Sequence, residues 1–184
     1  IMLHSKKIFV AGQNGMVGSS ILKFLKSNRV SNEFIKANRN DIDFLSKQEV
    51  DNFYNKNKPD VCVIAAARVG GIYANNNFPA NFIYENLMIQ NHLIHGAHLF
   101  GVQKLLFLGS SCIYPRETKQ PIKESALLSG YLEKTNEPYA ISKIAGIKMC
   151  QSYRRQYGSD FISAMPTNLY GPGDNYHIKN SHVI

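Results

Sequence analysis

Three glycines spaced three apart, Gly12, Gly15 and Gly18, stand between an apolar run and an amphipathic stretch. Lys7–Ala11 reads as a strand and Met16–Ser27 as a helix, so the glycines fall in the connection. A strand-to-helix turn of this kind needs glycine for three reasons. The turn is tight, a ligand's pyrophosphate approaches the backbone closely, and the helix must pack near the strand. Gln13, Asn14, Met16 and Val17 complete the turn, and the N–H groups opening the helix face any anion bound there. The segment from Gly12 to Gly18 is therefore expected to bind a dinucleotide.

The rest of the chain repeats the same alternation. Glu33–Ala37 reads as a second strand and Ser46–Asn57 as a polar-faced helix. Val61–Ala67 lacks polar alternation and reads as a buried strand. Pro79 opens a long helix to about Phe100, and Pro138 opens another to about Tyr157, proline being well tolerated in a first turn. Lys104–Gly109 and Phe161–Met165 are the remaining strands. Strand–helix alternation at this spacing predicts an α/β fold, a Rossmann-like doubly wound parallel sheet covered on both faces. With 184 residues, the chain has room for one substantial core. Such a sheet usually continues past the point where this chain stops. Residues 1–184 are thus read as one dinucleotide-binding domain, with a substrate lobe expected beyond 184.

Composition narrows the classes. The chain is 44% hydrophobic and 18% charged, which excludes a disordered or collagen-like chain. Its longest strongly apolar stretch, Val61–Ala67, is too short to span a bilayer. A net charge of +8 permits anionic partners, but the lysines and arginines are dispersed and form no aromatic-interleaved stripe. Neither nucleic acid nor membrane is expected as a partner. Cys62, Cys112 and Cys150 fit neither a zinc site nor a disulfide frame, which suits a reducing cytoplasm. His92, His95 and His98 lie three apart on one helix, diverge around it, and have no carboxylate or cysteine with them, so no metal site is expected.

The end of the second strand chooses the cofactor. A carboxylate there holds a ribose 2′-hydroxyl, whereas an arginine accepts a 2′-phosphate. Arg39 comes before any acidic residue, which favours NADP over NAD. Two Tyr-x-x-x-Lys pairs occur. Tyr54 and Lys58 lie at an Asn/Lys-rich helix end and read as solvated surface. Tyr139 and Lys143 follow a proline helix start, 29 residues after Ser110, which ends a buried strand at the edge where open parallel sheets bind ligands. Positions i and i+4 share a helix face. A cation near a phenol favours phenolate, so Lys143 is expected to tune Tyr139 as a proton donor to a carbonyl that Ser110 also holds. Cys112 lies two residues past Ser110, which puts both side chains on one side if the backbone stays extended.

Six motifs in order resemble the GDP-L-fucose synthase family, in the extended branch of the short-chain dehydrogenase/reductases. They are Ala65–Gly71, Asn81–Asn86, Gly109–Pro115, Asn136–Lys143, Pro166–Pro172 and Asn180–Ile184. The resemblance implies NADPH-dependent epimerisation at C3 and C5, then reduction at C4, of GDP-4-keto-6-deoxy-D-mannose. It assigns Ser110, Tyr139 and Lys143 to reduction, and Cys112 and His182 to epimerisation. It implies cofactor contacts from the glycine loop, from Arg39, Asn40, Asp41, Ile42, Asp43 and Phe44, and from Leu108, Gly109, Ser110 and Ser111. Lys143, then Pro166, Thr167, Asn168 and Leu169, and finally His182 complete that set. The family commonly has a basic residue in the glycine loop where this chain has Gln13-Asn14. Family members are homodimers, and apolar residues on more than one face of the two long helices allow a four-helix contact. A reductase of another GDP-4-keto sugar, including a heptose, and a cofactor-binding module without turnover are the alternatives.

Overall fold

The computed structural model describes residues 5–28, 33–37 and 41–174. Arg39, Asn40 and His182 lie outside the described residues. Five strands form one parallel sheet: β1 (Lys7–Ala11), β2 (Glu33–Ile35), β3 (Val61–Ile64), β4 (Lys104–Leu108) and β5 (Asp160–Ala164). Their order in space is β2-β1-β3-β4-β5. The order reverses between β1 and β3, and the crevice beyond the carboxyl ends of such strands is where ligands bind in open α/β sheets.

Five helices connect the strands: α1 (Met16–Ser27), α2 (Lys47–Asn57), α3 (Ile72–Asn77), α4 (Pro79–Leu99) and α5 (Glu137–Tyr157). Ser46 is the N-cap of α2 rather than its first turn, because its side chain accepts a hydrogen bond from the Glu49 N–H. Proline opens α4 and α5 as the sequence indicates. Gly158 closes α5 in the left-handed conformation that favours glycine.

Alternate residues of the strands feed two cores. Phe9, Cys62, Ile64, Leu105 and Phe107 point toward α2, α4 and α5 and form the larger one. Ile8, Val10, Val61 and Val63 meet Ile21, Leu22 and Leu25 of α1 on the opposite face. Coverage there is partial: Ile162, paired in register with Leu106, is 38% exposed.

Some expectations change: β2 ends at Ile35, not Ala37. β3 ends at Ile64, not Ala67, and the chain leaves the sheet along Ala65–Gly71. α3 breaks a segment with no periodic apolar pattern, Ile72–Asn77 being half asparagine. Tyr54 is not solvated. It is fully buried, donates its hydroxyl to the Leu93 carbonyl at 3.0 Å, and packs edge-on to Phe9. Its neighbour Lys58 is exposed at the left-handed C-cap of α2, so the two residues form no catalytic pair.

Candidate active site

The glycine turn lies at the carboxyl end of β1, and its three glycines do different work. Gly12 has φ +87°, a conformation L side chains rarely adopt, and a Cβ there would lie 2.7 Å from the Ala66 nitrogen. Its carbonyl accepts from the Gly15 N–H at 3.0 Å, closing the turn. A Cβ on Gly18 would lie 2.2 Å from that same carbonyl oxygen, so glycine lets α1 sit against the turn. Gly15 is different. Among the described residues, chain neighbours aside, a Cβ there would meet the Gly12 oxygen at 3.4 Å, an ordinary contact. Among the described residues, no other atom beyond its chain neighbours and helix lies within 4 Å of that position.

That space suits an anion. Gly15 is the N-cap of α1 with no side-chain cap, and the first turn carries no acidic residue. Neither the N-cap nor the first turn of α1 therefore supplies a side chain to neutralise its leading N–H groups and the positive end of its dipole. Gln13 does not replace the family's basic residue: its amide donates to the Ala37 carbonyl, tying the turn to the end of β2. Ile42 is buried, and the Phe44 ring packs 6.3 Å from Phe9. The side chains of these two expected cofactor residues thus belong to the core. Asp43 accepts from the Leu45 N–H at 2.9 Å.

The second half of the crevice is built where β4 ends beside α5. Ser110 caps a one-turn helix, Ser111–Ile113. Its oxygen accepts from the Cys112 thiol at 3.2 Å and the Cys112 N–H at 3.5 Å. The backbone does not stay extended past Ser110. A helical turn, not strand alternation, brings Cys112 back onto Ser110. The same hydroxyl also hydrogen-bonds the Tyr139 phenol, so Ser110 links the thiol and the phenol.

Tyr139 and Lys143 share one face of α5, as their spacing requires. Lys143 is 4% exposed. Its ammonium donates to the Leu108 carbonyl at 2.9 Å and lies 5.7 Å from the Tyr139 ring centroid. Burial lowers the Lys143 pKa to about 8. Burial raises that of Tyr139, the charge of Cys112 adds to the rise, and a hydrogen bond with Ser110 opposes it. The phenol is therefore held protonated, contrary to the expected bias toward phenolate, because desolvation outweighs the Ser110 hydrogen bond. Burial also raises the Cys112 thiol, against the pull of Ser110 and Lys143.

Sequence reasoning missed two supporting residues. Asn86, buried in α4, accepts from the Arg68 N–H at 2.8 Å and donates to its carbonyl at 3.0 Å, fixing the loop after β3. Arg68 pairs with Glu85 at 2.6 Å and lies over the Phe82 ring, which meets Tyr139 edge-on at 6.4 Å. Arg68 and Asn86 lie within the family-like motifs Ala65–Gly71 and Asn81–Asn86, to which the sequence reading attaches no role. The helix histidines are engaged separately: His92 with the Phe44 carbonyl, His95 with the Tyr153 hydroxyl, and His98 stacked on Tyr157. Pro166–Leu169 follow β5, with Thr167, Asn168 and Leu169 exposed. No helix among the described residues is long and apolar enough to cross a membrane.

A glycine turn at the switch point of a parallel sheet, together with half-buried Ser110 and Tyr139 and buried Lys143 at the ends of β4 and α5, is the arrangement of a dinucleotide-binding α/β domain. The chain belongs to the NAD dependent epimerase/dehydratase family, whose profile matches residues 8–184. It is 55% identical over 182 residues to a GDP-L-fucose synthase of Escherichia coli, covering 99% of this chain and 56% of that protein. It is 56% identical over 180 residues to GDP-L-fucose synthase 1 of Arabidopsis thaliana, covering 98% and 55%. Among solved structures it resembles a GDP-D-glycero-L-gluco-heptose synthase of Campylobacter jejuni determined in the presence of NADPH. There the TM-score is 0.92 at 39% identity, over 98% of this chain and 52% of that one. The chain spans about half the length of the curated relatives it matches.

Proposed function

We propose that this chain is the cofactor-binding and catalytic part of an NADPH-dependent enzyme converting GDP-4-keto-6-deoxy-D-mannose to GDP-L-fucose. The observation carrying the reading is the Cys112 thiol on the Ser110 hydroxyl, within the cluster that also holds Tyr139 and Lys143. A reductase alone needs the hydroxyl, the phenol and the lysine. A second titratable group on the same oxygen suits a site that also inverts carbon centres. The names of the relatives support the same substrate.

Arg39 supports NADPH over NADH, standing where an acidic residue would select the latter. The open space before Gly15 and the uncapped start of α1 fit a pyrophosphate. Bound there, NADPH supplies the hydride. Ser110 donates to the ketone oxygen, Tyr139 delivers the proton it holds at neutral pH, and Lys143 offsets the charge left on the phenol. Cys112 and His182 exchange protons at C3 and C5, which the 4-ketone acidifies. The protein acts as a homodimer through α4 and α5, which expose Tyr84 and Ile141. A cytoplasmic location accords with three free cysteines.

The test is to incubate the full-length protein with GDP-4-keto-6-deoxy-D-mannose and NADPH and identify the product by NMR. GDP-L-fucose is expected. Turnover only of a GDP-4-keto-heptose would replace the substrate and keep the chemistry. Cofactor binding with no turnover of either would refute the enzymatic reading.

A further inference from the structure

Lys143 is buried with little to hold its charge. Among the described residues it has no salt bridge, and its hydrogen bond to the Leu108 carbonyl uses one of three donors. Its nearest aromatic face is not that of Tyr139. The ammonium lies 4.9 Å from the centroid of Phe107, against 5.7 Å for Tyr139. Phe107 is fully buried on β4, the strand whose end carries Ser110.

That ring is held in place from α5 and α4. A Cβ on Gly146 would lie 2.5 Å from Phe107 Cζ and 2.7 Å from Cε1, so the ring rests on the bare backbone of the helix that carries Lys143. Gln90 of α4 closes the same spot. Its Oε1 lies 2.9 Å from that Cβ position, while its amide donates to the Ser142 carbonyl at 2.6 Å.

We infer that Phe107 is a positioning residue for Lys143: its ring face, with the Leu108 carbonyl, seats the ammonium beside Tyr139, and Gly146 and Gln90 fix the ring. The groups facing the ammonium are Phe107 and the Leu108 carbonyl from β4, Tyr139 on its own helix, and Cys112 from the one-turn helix. Burial depresses the Lys143 pKa, and the negative face of the ring opposes that depression. The consequence for turnover rests on the proposed reductase role of Lys143; the seat itself does not.

The test replaces Phe107 in the full-length protein with mono- and then trifluorinated phenylalanine, which keeps the shape while weakening the negative face. Lys143 is titrated by NMR on ¹⁵N-lysine-labelled protein, its signal assigned with Lys143→Met. The expected result is a stepwise fall in pKa, reaching about one unit with three fluorines, at unchanged Tm. The alkaline limb of the pH–rate profile for ketone reduction moves with it. A pKa that stays fixed across the series overturns the inference, whatever the rate does. A falling pKa with an unmoved rate profile upholds the seat and counts instead against Lys143 in reduction. Phe107→Leu should lower the pKa as well; should that variant fail to fold, the fluorinated series alone decides.

Discussion

Alanine at Gly18 and at Gly15 should give opposite phenotypes, though the two glycines are three residues apart in one turn. At Gly18 the added carbon would stand 2.2 Å from the Gly12 carbonyl oxygen and 2.7 Å from its carbonyl carbon. Both obstacles are backbone, so no side chain can swing aside. Relieving the contact requires moving α1 by about an ångström off the turn and off Val10 and Val63. Overpacking of this kind costs about 1–3 kcal/mol. For a domain of this size that is a fall in Tm of roughly 2–12 °C. At Gly15 the nearest atom among the described residues, chain neighbours aside, is 3.4 Å away, and alanine should change Tm by no more than about 2 °C. The methyl would instead occupy the space that a pyrophosphate needs, weakening NADPH binding by roughly tenfold or more. Differential scanning fluorimetry with and without NADPH, and titration of its fluorescence, measure both quantities. Gly15→Ala with full NADPH affinity, or as unstable as Gly18→Ala, would refute the division of labour.

Cys112→Ser should abolish deuterium uptake at C3 and C5 in deuterated water while slow reduction at C4 persists; undiminished uptake, read by mass spectrometry, would reduce Cys112 to packing. Arg39→Ala should weaken NADPH far more than NADH in fluorescence titrations, and equal losses would remove the 2′-phosphate role. Alkali should destabilise the fold. Burial raises Cys62 to about 12 and Cys150 to about 11 from 9.0, and raises Tyr54 as well. Between those values the unfolded chain has lost protons that the folded chain retains, so stability present below pH 9 is lost as pH rises toward 11–12. Lys143, lowered from 10.5 to about 8, contributes the opposite slope between those values, one group against six that burial raises, Cys112, Tyr139 and Tyr153 included. Urea midpoints should therefore fall above pH 9, and a midpoint that rises would contradict the burial of these groups.

Where one local pattern carries a single physical meaning, the sequence alone places the element. Met16–Ser27 forms the anticipated helix, and the uninterrupted apolar runs at Val61 and Lys104 become central strands. Tyr54 shows the limit. Its neighbours are polar because one face of α2 is solvated, yet Tyr54 occupies the other face, and composition at a helix end does not distinguish the two. Cys112 reached its partner through a turn invisible to strand alternation. The direction of the Tyr139 shift depends on how deeply the phenol is buried, a tertiary property that no spacing encodes. Gln13 shows the same: only the fold reveals that its amide is spent on Ala37 rather than on a ligand.

The central claim is that Tyr139 hands its proton to a ketone while the glycine turn, quite separately, holds the dinucleotide. Tyr139→Phe removes the hydroxyl and nothing of the turn. In the full-length protein, NADPH oxidation with GDP-4-keto-6-deoxy-D-mannose should fall by roughly 10²–10⁴-fold, while the Kd for NADPH, measured on the same preparation, stays within about twofold. Retained oxidation at unchanged Kd would contradict the account, because the proton would then come from another residue.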